Sequence, residues 1–151
     1  MSTILLLIKV AEYASARPDL RLSMSRAATI GDFLPVNDIL QVIAANQGGS
    51  RIGVASLSLS TVRNMSIPLI HHLPIEGAMS VPAILEPHER ASMWLDYKDL
   101  QQVMREHDDG IVAIVATLND GSTFRQDASK EWRSFHEPKR RKGSTDDDRR
   151  T

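Results

Sequence analysis

The chain has 151 residues, of which 42% are hydrophobic and 25% charged, with a formal net charge of -1 and no cysteine. That length suffices for one domain with a sizeable core, since roughly 70% of the unfolded surface is buried at this size. The near-zero charge gives the whole chain no long-range pull on nucleic acid or anionic lipid. The absence of cysteine excludes disulfides, thiolate nucleophiles, iron–sulfur clusters and zinc sites of the cysteine type. A reducing compartment such as the cytoplasm fits this composition.

An apolar run, Ile4 to Ile8, stands near the start and is followed by Lys9. It is too short to cross a bilayer, which needs about 20 apolar residues, and no basic residue precedes it as a secretory signal would require. Residues 1–17 are expected to form a helix or first strand packed on the body. The alternative is a shortened membrane anchor with peripheral membrane contact. Arg17-Pro18 closes the segment, because proline disfavours the helical region in the residue before it.

From Leu20 the pattern has period two: Leu20, Leu22 and Met24 alternate with Arg21, Ser23 and Ser25, as in a strand with one wet face. Thr29 to Asp38 reads as a loop. Ile39 to Ala45 is a second strand, ended by the turn residues Asn46-Gln47-Gly48-Gly49. In the next strand Ile52 and Val54 keep one parity, while Leu57 and Leu59 keep the other. A bulge near Ala55 or Ser56 reconciles them, because one extra residue flips the side-chain alternation.

Pro68, Pro74, Pro82 and Pro87 punctuate the following stretch, and missing backbone donors restrict it to short edge strands. Ser92 to Leu95 forms one more strand. Asp96 then caps a helix from Tyr97 to His107, with Asp99 in its first turn to suit the dipole. Leu100, Val103, Met104 and His107 share one face of this helix. Ile111 to Leu118 is a continuous β-branched run followed by Asn119-Asp120-Gly121, which predicts a hairpin returning through Thr123 to Arg125.

Beyond Glu137 the composition changes, and residues 138–151 read as a disordered charged tail. The tail holds six basic and three acidic residues, net +3, against net -4 for the remainder.

About seven short strands, with one short helix before the last hairpin and a further N-terminal helix or strand, point to a mainly β fold. The arrangement predicted for residues 18–137 is an immunoglobulin-like β-sandwich. Three stretches resemble a loose group of uncharacterised bacterial β-sandwich proteins. Ile43-Ala44-Ala45-Asn46-Gln47-Gly48-Gly49 with Ile52 to Leu59 is similar to that group's strand, Asn-x-Gly turn and return strand. Leu85-Glu86-Pro87-His88-Glu89-Arg90 with Trp94-Leu95-Asp96 is similar to its Leu-x-Pro-Gly-Glu turn, although His88 stands where the group has glycine. Val112 to Leu118 with Asp120-Gly121 and Phe124-Arg125 is similar to its final hairpin. The resemblance implies a sandwich fold and no catalytic residue.

Among chemistry-bearing residues, His71 and His72 form the foremost metal candidate, with His88, Glu86 or Glu89 as further ligands, and would be the centre of a small metal-dependent or hydrolytic enzyme. Adjacent strand residues point to opposite faces, so both rings reach one ion only where the chain turns. Nucleophile-elbow and phosphate-cradling glycine motifs are absent. Asp96 and Asp99 could act as paired carboxylates, but helix capping accounts for them. Asp108-Asp109 before Gly110 reads as a helix-ending turn. Trp94, Tyr97, Phe124, Trp132 and Phe135 could build a binding surface, with core packing as the plainer role. Lys139, Arg140, Arg141 and Lys142 offer non-specific, salt-sensitive contact with polyanions, not recognition of a specific nucleic acid. The expected function is therefore a non-enzymatic binding or accessory module without cofactor. It would meet a protein partner through a sheet face or the segment from Ser66 to Pro87.

Overall fold

The computed structural model describes residues 19–28, 38–72 and 77–136. The apolar run of residues 4–8, the greater part of the loop expected over 29–38 and the charged tail lie outside the described residues. Among the described residues the fold is mainly β, with two sheets and two helices.

The first sheet contains β1 (Leu20–Ala28), β2 (Asp38–Asn46), β5 (His71–His72), β6 (Ala78–Met79) and β8 (Arg90–Asp96). Its order is β1-β2-β8-β5, and β6 lies parallel to β8 while the other pairs are antiparallel. The second sheet contains β3 (Ile52–Thr61), β4 (Ser66–Pro68), β7 (Ala83–Leu85), β9 (Ile111–Leu118) and β10 (Thr123–Asp127). Its order is β10-β9-β3-β4, with β7 also on β3 and every pair antiparallel. The helices are α1 (Tyr97–Glu106) and α2 (Ser129–His136).

One apolar core joins the sheets. Leu22, Leu40, Val42 and Met93 from the first sheet are buried in the same cluster as Val54, Leu57, Leu59 and Ile114 from the second. Tyr97, Leu100 and Met104 of α1 and Trp132 of α2 complete it. Neither sheet buries its apolar face without the other, which is why a cleanly alternating strand such as β1 specifies its register so firmly.

The bulge expected in β3 is present. Val54 stands opposite Leu118 but Ser56 stands opposite Thr117, so Ala55 is the extra residue. Ile52 and Val54 are buried before it and Leu57 and Leu59 after it. Among its described residues the proline-punctuated stretch forms four short strands, β4 to β7, each of two or three residues.

Asp96 ends β8 and caps α1 with no intervening residue, its carboxylate accepting from the backbone N–H of Lys98 at 3.0 Å and of Asp99 at 3.3 Å. The buried stripe of α1 is Tyr97, Leu100 and Met104. This corrects the expected face: Val103 is 38% exposed and His107 is exposed, so neither belongs to the core.

The last hairpin closes as expected, but through a three-residue loop. Leu118 N–H donates to Ser122 O at 2.8 Å and Gly121 N–H to Leu118 O at 2.9 Å, and only Gly121, at φ +85°, takes the left-handed conformation. That is the glycine position of a three-residue loop rather than the Asp-Gly pair of a two-residue one. A second correction follows the hairpin, where α2 was not expected. Asp127 starts it by accepting from both the N–H and the hydroxyl of Ser129 at 2.8 Å, and Trp132 is its buried anchor.

Candidate functional site

The segment from Ser66 to His72 crosses from the edge of the second sheet to the edge of the first. Among the described residues β4 pairs only with β3, and β5 pairs only with β8, so each lies at the border of its sheet. Because β8 runs straight into α1, the helix lies against the same border. Between these elements is a groove of about 470 Å³.

Its surface is apolar: Ile67 from β4, Trp94 and Leu95 from β8, and Leu100 and Val103 from α1. Asp96 and Asp99 add two carboxylates, and His71 adds an imidazole. His71 is opposite Trp94 in the ladder and stacks on it, ring centroids 4.7 Å apart and planes 24° apart. The indole Nε1–H donates to His72 O at 3.1 Å, which fixes the tryptophan against the edge strand. Asp96 is committed to the helix cap, whereas Asp99 is exposed.

His72 points elsewhere. Its Nδ1 meets Ser92 O at 3.2 Å, and since a carbonyl only accepts, Nδ1 carries the proton. His88 sits in the turn before β8, where its N–H donates to Asn46 O at 2.9 Å and its φ is +71°. It thus adopts the backbone conformation that glycine supplies most readily. From Arg90 to Met93, the partner of His72, β8 alone covers on the order of 10 Å. His71, His72 and His88 are accordingly held by three different sets of contacts. Among the described residues no group of three or more histidines and carboxylates is arranged to hold a metal ion.

A second, more polar groove of about 420 Å³ lies on the other side of α1, lined by Gln101, Met104, Arg105, Asp108, Asp109, Trp132 and His136. His136 Nδ1 is 2.8 Å from Tyr97 Oη and 3.2 Å from Gln101 Nε2. The amide can only donate, so Nδ1 is the acceptor and the ring proton sits on Nε2. Burial, followed by the charges of Arg105 and Arg26, holds this histidine below its ordinary pKa. Burial likewise raises the Tyr97 phenol.

The acidic pair after α1 forms the expected helix-ending turn. Asp108 N–H donates to Arg105 O at 3.2 Å and Asp109 N–H to Met104 O at 2.9 Å. Burial would raise the Asp109 carboxyl. Bonds from the Thr61 hydroxyl and from the N–H groups of Gly110 and Arg63, with the Arg63 charge, instead hold it below the carboxylate range. Of the aromatic residues considered for a surface, Trp94, Tyr97 and Trp132 are buried and Phe124 and Phe135 half-buried. Lys139, Arg140, Arg141 and Lys142 lie outside the described residues.

Sequence reading had marked Trp94, Asp96 and Asp99 separately but did not join them with Ile67 and Val103. Two pieces of chain, Ile67 to His71 and Trp94 to Val103, build the groove, and only their pairing in the sheets brings them together. Comparison with family models, with curated proteins and with solved structures found no match.

Proposed function

We propose that the chain is a non-enzymatic binding module, its two sheets arranged as an immunoglobulin-like sandwich, and that it engages a protein partner through the groove between β4, β5 and α1. The observation that carries this reading is the apolar lining of the groove beside an exposed Val103, which is 38% accessible on an otherwise polar helix face. Exposed apolar surface bordered by polar groups marks interaction sites, and a concave one can anchor a partner's side chain. Two of the lining residues, Ile67 and His71, belong to the segment from Ser66 to Pro87.

The reading is tested with the full chain as bait and Val103→Asp as the control. Val103 is outside the buried stripe, so this change should leave the melting temperature near that of the parent while placing a charge in the groove. Proteins retained by the parent and lost with Val103→Asp support the reading. Identical retention by both would remove the groove from the function.

A further inference from the structure

We infer that the partner segment seated in the groove between β4, β5 and α1 is cationic as well as apolar: a short stretch in which an apolar anchor side chain stands close to a lysine or arginine. This inference rests on the groove being a docking site, and it adds the chemistry of the segment that docks there.

The charges of α1 are sorted around its axis. At about 100° per residue, Asp99, Val103 and Glu106 fall within about 60° of one another, whereas Lys98 and Arg105 lie about 140° to 160° away from Val103. The contacts agree with this division. The Asp38 carboxyl, lowered chiefly by its bond from Arg26, also feels the charge of Lys98 from the start of β2. Arg105 lines the polar groove on the other side of the helix, with Trp132 and His136.

With histidine neutral, the formal charges among the described residues that line the apolar groove are therefore all negative. Asp96 and Asp99 supply them, and neither lysine nor arginine is there. Asp96 commits Oδ1 to the N–H groups of Lys98 and Asp99, which leaves the exposed Asp99 as the carboxylate open to a partner. Glu106, one turn beyond Val103, is exposed and is met by the Gln102 amide at 3.0 Å.

Val103 is thus an exposed apolar side chain with a carboxylate one helical turn to either side of it. A partner's apolar side chain that covers Val103 and Leu100 brings its neighbours in the partner chain against Asp99 or Glu106, where a lysine or arginine forms a charge-assisted hydrogen bond. An acidic segment or a phosphate-bearing surface would meet like charge at the same place. The groove therefore selects by sign as well as by shape.

The test uses the full chain to select from a library of random dodecapeptides displayed on phage. Clones are kept when they bind the parent and are lost with Val103→Gln, which fills the groove with an amide and leaves its charge alone. These groove-dependent clones should carry lysine or arginine within about four residues of a large apolar side chain. The corresponding synthetic peptides should bind Asp99→Lys about fivefold more weakly than the parent and Asp99→Asn by an intermediate factor, and the loss should fade in about 0.5 M salt. Exchanging the peptide's base for glutamate should restore binding to Asp99→Lys. Lys98→Glu, on the far side of the helix, should leave affinity within about twofold. A gain there as large as the Asp99→Lys loss would show that net charge alone is read, and would overturn the inference. Groove-dependent clones that lack a basic residue, or that are indifferent to Asp99→Lys, would overturn it and leave the partner reading standing. Failure to find any clone lost with Val103→Gln would overturn both. A parent that sediments as a dimer and becomes monomeric with Val103→Gln would overturn it in favour of a second copy.

Discussion

The side-chain amide of Asn46 donates to the carbonyl of Leu85 at 2.9 Å, joining the last residue of β2 in the first sheet to the last residue of β7 in the second. The same residue donates through Nδ2 to Ser50 O at 2.8 Å and accepts from Gly48 N–H at 3.0 Å. Its main chain is bonded to Glu89 and His88. The Asn-x-Gly stretch and the Leu-x-Pro stretch, separate in sequence, are therefore knotted to each other. Asn46 is 1% exposed, so these groups have no water to fall back on.

Asn46→Ala is expected to destabilise the protein by about 2 to 3 kcal/mol, because two carbonyls lose a buried donor. Asn46→Asp should be worse at neutral pH, since a carboxylate would face the same two carbonyls. Its folded pKa would be raised above the ordinary value of about 3.9, so the deficit should shrink as pH falls and the acid protonates. Urea unfolding of both variants at neutral and acidic pH checks this. An Asp variant whose deficit grows on acidification would mean that Asn46 Nδ2 is not the donor.

Arg26 ties four elements together. It bonds Asp38 through Nε at 2.9 Å and through a second nitrogen at 2.8 Å, lies 4.0 Å over the Tyr97 ring, and donates to Phe135 O at 3.2 Å. Arg26→Ala should cost about 1 to 2 kcal/mol, and Arg26→Lys should recover the charge but not the fork. The hydrogen bond from Arg26 is the main reason that the Asp38 carboxyl is held below its ordinary pKa. A depressed carboxylate stabilises the fold above its unfolded pKa and ceases to do so as pH falls through its folded pKa. The difference between parent and Arg26→Ala should therefore narrow below about pH 4.

His136 has the opposite chemistry. As a base held below its ordinary pKa by burial and by Arg105 and Arg26, it is favoured neutral in the fold, while the unfolded chain takes up the proton first. Its contribution is complete above the unfolded value of about 6.5 and is lost as pH falls from there to the folded pKa. His136→Gln keeps an acceptor for Tyr97 and should flatten the fall in melting temperature over that window. An unchanged pH profile would show that His136 is not the group responsible.

Gly121→Val should cost about 1 to 2 kcal/mol, and Gly121→Asn clearly less, because asparagine tolerates the left-handed region. A Cβ at this position would meet nothing within 4 Å, so the whole cost is conformational. Equal losses for valine and asparagine would place the penalty elsewhere.

Much of this architecture is written in local pattern. The parity change between Val54 and Leu57 placed the bulge near Ala55 or Ser56, Asp96 marked the strand-to-helix junction, and Gly121 marked the last turn. Each depends on residues within a few positions of one another. The second helix was missed because its eight residues bury a single side chain, Trp132, which leaves almost no periodicity to read. Its signal was the turn-forming pair Asp127 and Ser129, with Glu131 in the first turn. The placement of Val103 could not be read in the same way. Leu100, Val103 and Met104 are neighbours on one helical stripe, and only the packing of the helix on β2 and β8 decides which of them is left uncovered.

The junction at Asp96 has a mechanical consequence. Trp94 on one wall of the groove and Val103 on another belong to one uninterrupted stretch, strand then helix, with no connecting loop between them. The walls can change their separation only by breaking the cap or unpairing β8, so the cleft is a receptacle already shaped before anything enters. Whatever occupies it should associate at a rate set by encounter, with little reorganisation of the receptor itself.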